Sequence, residues 1–367
     1  MYVDRRSLRR ALPLLLAALT ACEVVKDDAT KRDTTTAPAT GAATATVDSG
    51  AAAPAGVPAA PSADSTSVAR DSGMVTLSSD APPRGGVLFA LVEGLAVDIP
   101  RCSWKGASLP CYRVERGVLA IIPLPADEPA GTFTLAVDRP AGRITRQITV
   151  AERDFGRELV FLDSAKYALI RRGRDVARDA RAIRAVLATE SAQRRWSGSW
   201  GSPLTARGGG YGVERFYYRA ADSARAIRLT ADMRATGAFG TDTASGSTPS
   251  WRHAGVDLAA ARGAAVSAPA GGVVADVGDY VLSGKTVIVD HGQGIVTAYF
   301  HLDTALVRRG DEVRKGQRLG RVGVTGLATG PHLHYGVYVH GKDVDPAAWA
   351  AMPAFARGEA SRQTANR

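Results

Sequence analysis

The sequence predicts a mainly β protein: a small β-sandwich, a connecting helix, and a larger C-terminal β domain. Three observations carry this reading. Short apolar runs broken by turn residues fill positions 74–150, one helical period occupies 165–187, and apolar strand-like runs return at 281–290, 295–301 and 333–339. The chain has 367 residues, 45% hydrophobic and 22% charged, which allows two domains with tails and excludes a disordered or fibrous protein. Its longest apolar run, 11–19, falls short of the roughly 20 residues a membrane-spanning helix needs.

Residues 1–21 read as an address label. Arg5, Arg6, Arg9 and Arg10 precede the apolar run, and Leu19-Thr20-Ala21 places small residues immediately before Cys22. A plain secretory signal needs no thiol at that point. Leu-Thr-Ala-Cys resembles the lipobox of bacterial lipoproteins, which implies that Cys22 is the lipidated first residue of an exported, membrane-anchored chain. Glu23 rather than Asp then fits sorting to the periplasmic face of an outer membrane. Removing the label takes four Arg and one Asp, so the formal charge falls from +10 to +7. The remaining excess suits an anionic surface or cell-wall polymer, but its Arg residues are scattered through Ala/Gly-rich sequence and leave no nucleic-acid footprint.

From 22 to 70 the chain is Ala, Thr, Pro, Ser and Asp with almost no large apolar residue, so it is predicted to be a disordered tether. The accessory sandwich, 71–160, rests on strands at 87–92, 118–123, 132–137 and 144–150, separated by Asp80-Ala81-Pro82-Pro83, Pro129-Ala130-Gly131 and Pro140-Ala141-Gly142. With Cys22 set aside, Cys102 and Cys111 are one even pair in an oxidising compartment and are expected to form a disulfide. The connecting helix lies within 161–195, with Leu169, Val176, Ala180, Ile183 and Leu187 near a 3.6-residue period and a solvated charged face. Residues 196–352 form the last domain and 353–367 a flexible tail.

That last domain carries the chemistry. His253 and Asp257 stand four apart, and Gly330-Pro331-His332-Leu333-His334 follows some seventy residues later in a chain with six histidines. On a strand, His332, His334, Gly336 and Tyr338 share one face, so two imidazoles would open onto one cleft. Catalytic zinc takes three protein ligands and keeps a fourth position open. His253, Asp257 and His334 meet that need, leaving His332 and His301 for proton transfer. Spacing alone does not fix this division of labour. His291, in a turn, reads as structural and His340 as a surface residue.

These residues resemble the lysostaphin/LytM-type zinc metallopeptidases, which hydrolyse peptide bonds of bacterial peptidoglycan. The likeness runs from His253 to Pro346. It includes His253-x3-Asp257, Ala268-Pro269-Ala270-x-Gly272-x-Val274, His291-x2-Gly294, Tyr299-x-His301-Leu302, Val313-x2-Gly316, Gly323-x-Thr325-Gly326-x2-Thr329-Gly330-Pro331-His332-Leu333-His334 and Asp345-Pro346. It implies zinc on His253, Asp257 and His334, with His301 and His332 as the catalytic pair. It also implies an open antiparallel β-sandwich with a groove along one face, and peptidoglycan as partner. The β region and helix ahead of it resemble the accessory portion of some exported members.

Three departures stand out. Ala264-Ala265 replace the family's frequent Thr-Pro; 32 residues, 219–250, fill what is often a short loop; and 247–252 contains no Tyr, so no oxyanion stabiliser is assigned. Asn366 is the only asparagine, so the self-blocked form that uses an asparagine on zinc has no counterpart here. The alternative function is a non-catalytic wall-binding protein or amidase activator; such relatives have lost ligands, and this chain has lost none. The spaced Val307, Gly310, Val313, Gly316 and Gly320 also suit a lipoyl-type hairpin carrying Lys315, but these glycines are better explained as turn formers. Oligomeric state is not read from the sequence.

Overall fold

Strands β1 (Val75–Leu77), β2 (Val87–Glu93), β3 (Arg101–Trp104), β4 (Ala107–Leu109), β5 (Cys111–Val114), β6 (Gly117–Pro123), β7 (Gly131–Arg139) and β8 (Gly142–Val150) form the N-terminal region. They make two four-stranded antiparallel sheets, ordered β1-β2-β6-β5 and β4-β3-β7-β8. The computed structural model describes residues 74–93, 100–139, 142–222 and 249–357. The expected signal and tether, Cys22 and most of the 219–250 stretch therefore lie outside the described residues. No helix among the described residues is long and apolar enough to cross a membrane.

The alternation of β2 and β6 explains their unbroken apolar sequences. Leu88, Ala90, Val92, Ala120 and Ile122 face the second sheet, while Val87, Phe89, Leu119 and Ile121 face the opposite way into the C-terminal core. Phe89 packs on Trp349 with ring centroids 5.5 Å apart. Main chain joins the same surfaces, Asp345 N–H donating to Gly85 O at 2.7 Å. The described residues thus share one compact unit.

Cys102 on β3 and Cys111 on β5 are disulfide-bonded, with Cα atoms 6.2 Å apart, and tie the two sandwich sheets together. Reduction should lower stability by about 2–3 kcal/mol for so short a loop. Denaturant unfolding with and without reductant measures this, and free-thiol labelling at both cysteines of the protein purified without reductant would overturn it.

Beyond the sandwich come β9 (Arg157–Leu162), α1 (Ser164–Ile170) and α2 (Gly173–Leu187). The single helix predicted over 165–187 is therefore two. Arg172 leaves helical geometry at ψ 48° and Gly173, a weak helix former, follows it. Asp163 caps α1 by accepting the Lys166 N–H at 2.8 Å.

The remaining strands are β10 (Gly208–Gly209), β11 (Glu214–Arg219), β12 (Ser250–Arg252), β13 (Val256–Ala259), β14 (Ala265–Ser267), β15 (Gly272–Tyr280), β16 (Gly284–Gly292), β17 (Ile295–Ala305), β18 (Glu312–Val313), β19 (Arg318–Val322), β20 (His332–Val339) and β21 (Lys342–Val344). Ten of them form one antiparallel sheet with the path β10-β13-β20-β17-β16-β15-β18. β17 leaves β20 after Phe300 and pairs with β19 from Leu302, so the sheet bends over its own core. The 291–294 turn needs its glycines: at Gly292, φ 83°, a Cβ would fall 1.7 Å from Gln193 O. A separate sheet, β12-β11-β9, sets β9 parallel to β11.

The tail predicted to be flexible from 353 begins as ordered structure. Helices α3 (Pro346–Ala350) and α4 (Ala354–Arg357) bury Trp349 and Ala356 in the shared core, and Arg194 donates to Ala356 O at 3.0 Å. Apolar burial holds residues 354–357; the residues after them lie outside the description.

Candidate metal centre

Antiparallel register places Asp257 on β13 directly opposite His334 on β20. His253 precedes β13, and its main chain is pinned by Val213 O (2.9 Å) and the Gly212 N–H (2.7 Å). Its Nδ1–H donates to Gly210 O at 2.8 Å, which leaves Nε2 as a lone pair. Gly210 sits at φ 89°, and a Cβ there would press on the imidazole at 3.2 Å.

Three ligand atoms converge. His253 Nε2 lies 2.8 Å from His334 Nδ1 and 3.1 Å from Asp257 Oδ1, and His334 Nδ1 lies 3.1 Å from the same oxygen. Ligand atoms about 2.0–2.1 Å from a tetrahedral zinc would be roughly 3.3 Å apart, close to this triangle. Both histidines are fully buried, and the Asp257 side chain is 9% exposed. With Nδ1 of His253 already donating, its Nε2 has no proton to give, and this lone pair meets the Asp257 carboxylate and His334 Nδ1 at one point. Two imidazole nitrogens and a carboxylate oxygen this close together are a donor set that a divalent cation would fit. Burial, outweighing the Asp257 hydrogen bond, lowers His334 to about 4, keeping it a neutral ligand. Burial opposes the charge of Asp257, yet His253, His334 and Arg215 hold its carboxyl well below the ordinary carboxylate range.

His301 and His332 face each other beside this point, ring centroids 4.8 Å apart. His332 Nδ1–H donates to Gly330 O at 2.8 Å and His301 Nδ1–H to Thr325 O at 2.9 Å. Both Nε2 atoms are buried without a hydrogen-bond partner, and that of His332 is 3.7 Å from Asp257 Oδ1. Burial lowers both pKa values, so both rings are bases in their neutral form. His301 lies at φ 61°, where β17 changes partners, and its ring meets those of His332 and His334 at centroid distances of 4.8 and 6.3 Å. A glycine there relieves backbone strain that an alanine keeps. His301→Gly should therefore be more stable than His301→Ala by about 1 kcal/mol, measured by denaturant unfolding; equal midpoints would sink the strain argument.

The structure thus brings together all five residues singled out for ligation and proton transfer. Cys102 and Cys111 lie in the sandwich instead. His291 is wholly buried between Gly271 O (2.6 Å) and Thr297 Oγ1 (2.8 Å), a structural role. His340 is not a free surface residue: it bonds Glu190 at 2.7 Å and stacks on Tyr112. Arg215, unassigned from sequence, has NH1 2.9 Å from Asp257 Oδ2. Its signal was its place in the Tyr211-Gly212-Val213-Glu214-Arg215 stretch ahead of the first ligand.

Residues 251–346 match peptidase family M23. The peptidoglycan DD-endopeptidase ShyA of Vibrio cholerae is 41% identical over 93 residues, 25% of this chain and 22% of that relative. This chain spans between a fifth and a quarter of the length of the first curated relatives it matches. A Pseudomonas aeruginosa structure assigned to peptidase M23 aligns over 73% of this chain and 95% of its own, at TM-score 0.52 and 26% identity. The catalytic domain of lysostaphin from Staphylococcus simulans is 30% identical, covering 28% of this chain and 80% of its own, at TM-score 0.27. The convergent histidines and Asp257 fall inside the matched span, so the candidate centre lies within a peptidase M23 domain at residues 251–346.

Proposed function

We propose that this chain is a zinc endopeptidase that hydrolyses peptide bonds of peptidoglycan, tethered by lipid on Cys22 to the periplasmic face of the outer membrane. The observation that carries the catalytic part is the convergence of His253 Nε2, His334 Nδ1 and Asp257 Oδ1 beside two unpartnered imidazole nitrogens. Two nitrogen donors and one carboxylate suit zinc better than magnesium or calcium, which favour oxygen. Relatives named as peptidoglycan DD-endopeptidases support the substrate class.

Zinc at this donor set supplies Lewis acidity toward the scissile carbonyl and toward water. His332 Nε2 and His301 Nε2 are the acceptors for the proton that the attacking water loses. The carbonyl carbon gains the water oxygen, the C–N bond breaks, and the same imidazoles return a proton to the leaving amine. The Nδ1–H bonds to Gly330 O and Thr325 O fix the tautomer that keeps both Nε2 atoms available. Asp257 stays ionised through each of these proton transfers.

Digestion of intact peptidoglycan by the zinc-loaded protein, read by mass spectrometry of the fragments, should convert cross-linked muropeptides to uncross-linked ones. An unchanged fragment profile from fully zinc-loaded protein would overturn the substrate assignment. The anchor is tested separately: Cys22→Ser should move the protein from the membrane fraction to the soluble fraction and leave the specific activity of the folded domain at the wild-type level. Equal membrane retention of the two forms would remove the lipid from the reading.

A further inference from the structure

We propose that Glu158, acting through Arg215, is a positioning residue of the metal centre. The strand leaving the sandwich region would thereby complete a site whose ligands all lie within the family-matched span. The inference rests on the metal reading above. Glu158 lies on β9 and Arg215 on β11, both ahead of residue 251, where the match to the family begins. The two strands run parallel with Glu158 and Arg215 as register partners, so their side chains leave the same face of the sheet. Arg215 is only 3% exposed. Its Nε donates to Glu158 Oε2 at 2.7 Å, and its NH1 lies 2.9 Å from Asp257 Oδ2 in an ion pair short of hydrogen-bond alignment.

One guanidinium therefore joins two carboxylates through two different nitrogens, a fork that lysine cannot reproduce. By holding Oδ2, Arg215 turns the single oxygen Oδ1 toward His253 Nε2 and His334 Nδ1. Orientation alone would carry a penalty, because a buried positive charge beside Asp257 repels a divalent cation. Glu158 cancels that charge. Together the pair orients the ligand while adding no net charge to the cation's surroundings, and β11 is held firmly enough for this by Tyr217 stacked on Trp251 of β12 at 3.9 Å. Nothing in the sequence around Glu158 marks it, since its partner is 57 residues away.

The test is zinc affinity of the full chain by competition with a chromogenic chelator, with the melting temperature of the zinc-free protein as a check on folding. Glu158→Gln keeps the shape and an acceptor for Arg215 but removes the compensating charge. Arg215→Lys keeps the charge but not the fork. Each should weaken zinc binding by about 10–100-fold, the range carried by residues that orient metal ligands. Glu158→Asp, which retains the charge, should recover most of the affinity lost in Glu158→Gln. A purely structural pair would lower the melting temperature while leaving the zinc affinity of the folded variants at the wild-type value, and that result overturns the inference. Should Arg215→Lys fail to fold, the two Glu158 variants decide, and equal affinities for both overturn the charge argument. Wild-type protein that takes up no zinc sinks the metal reading and this inference together; wild-type protein that binds zinc beside unaffected variants sinks only the inference.

Discussion

His334→Ala is expected to lose tight zinc binding and peptidase activity together, with the fold retained. His334 Nδ1 lies within 3.1 Å of both other ligand atoms, so removing it leaves two donors where a catalytic zinc site needs three. The loss of affinity should exceed about 100-fold, the upper end of what even an orienting neighbour of a ligand costs. Turnover should fall to the background of metal-free protein. The ring is fully buried and stacked 5.1 Å from Phe300, so its removal also costs packing, and circular dichroism with a thermal melt must accompany the measurement. Chelator competition and peptidoglycan digestion on the same preparation provide the test. A folded His334→Ala protein that binds zinc as tightly as wild type would remove this residue from the ligand set.

Much of the fold was legible where strands announce themselves by period and punctuation. The runs at 87–92, 118–123, 132–137 and 144–150 correspond to β2, β6, β7 and β8, and the turn at 291–294 separates β16 from β17. Less legible were the elements decided at a distance. β3, β4 and β5 are three or four residues long and too short to show a period. β9 exists as a strand because β11, more than fifty residues later, pairs with it. The second face of β2 and β6 could be inferred to be buried from their unbroken apolar sequence, but not that Phe89 meets Trp349. The helix split at Arg172-Gly173 needed only the recognition that glycine is a poor helix residue.

The site shows the same division. His253 and Asp257 are four apart in sequence, and His332 and His334 share a strand face, so local spacing revealed both pairs. Their union depends on the register of β13 against β20, which places Asp257 opposite His334 and which no local pattern encodes. Arg215 and Glu158 were hidden for the same reason. The left-handed φ of His301 was equally invisible, because histidine gives no sign of the kink that glycine would have announced.

His332→Ala separates proton carrier from ligand. It lies two residues from His334 on the same strand face, yet the geometry treats the two differently. His334 Nδ1 lies within 3.1 Å of both other ligand atoms, whereas His332 Nε2 stands 3.7 Å from Asp257 Oδ1 and has no hydrogen-bond partner. The variant should keep stoichiometric zinc on its three remaining donors while turnover falls by about 100-fold or more for want of general base catalysis. His301→Ala should behave in the same way, since its Nε2 is likewise free and its ring faces His332. A residual rate above the metal-free background is expected from each single variant, because the other imidazole still accepts a proton. The double variant should lose that residue of activity and still bind metal. Zinc content by elemental analysis, set against initial rates of peptidoglycan cleavage, distinguishes the roles. If His332→Ala loses its metal while His334→Ala keeps it, the two assignments are inverted; if both keep metal and full activity, the hydrolytic mechanism falls.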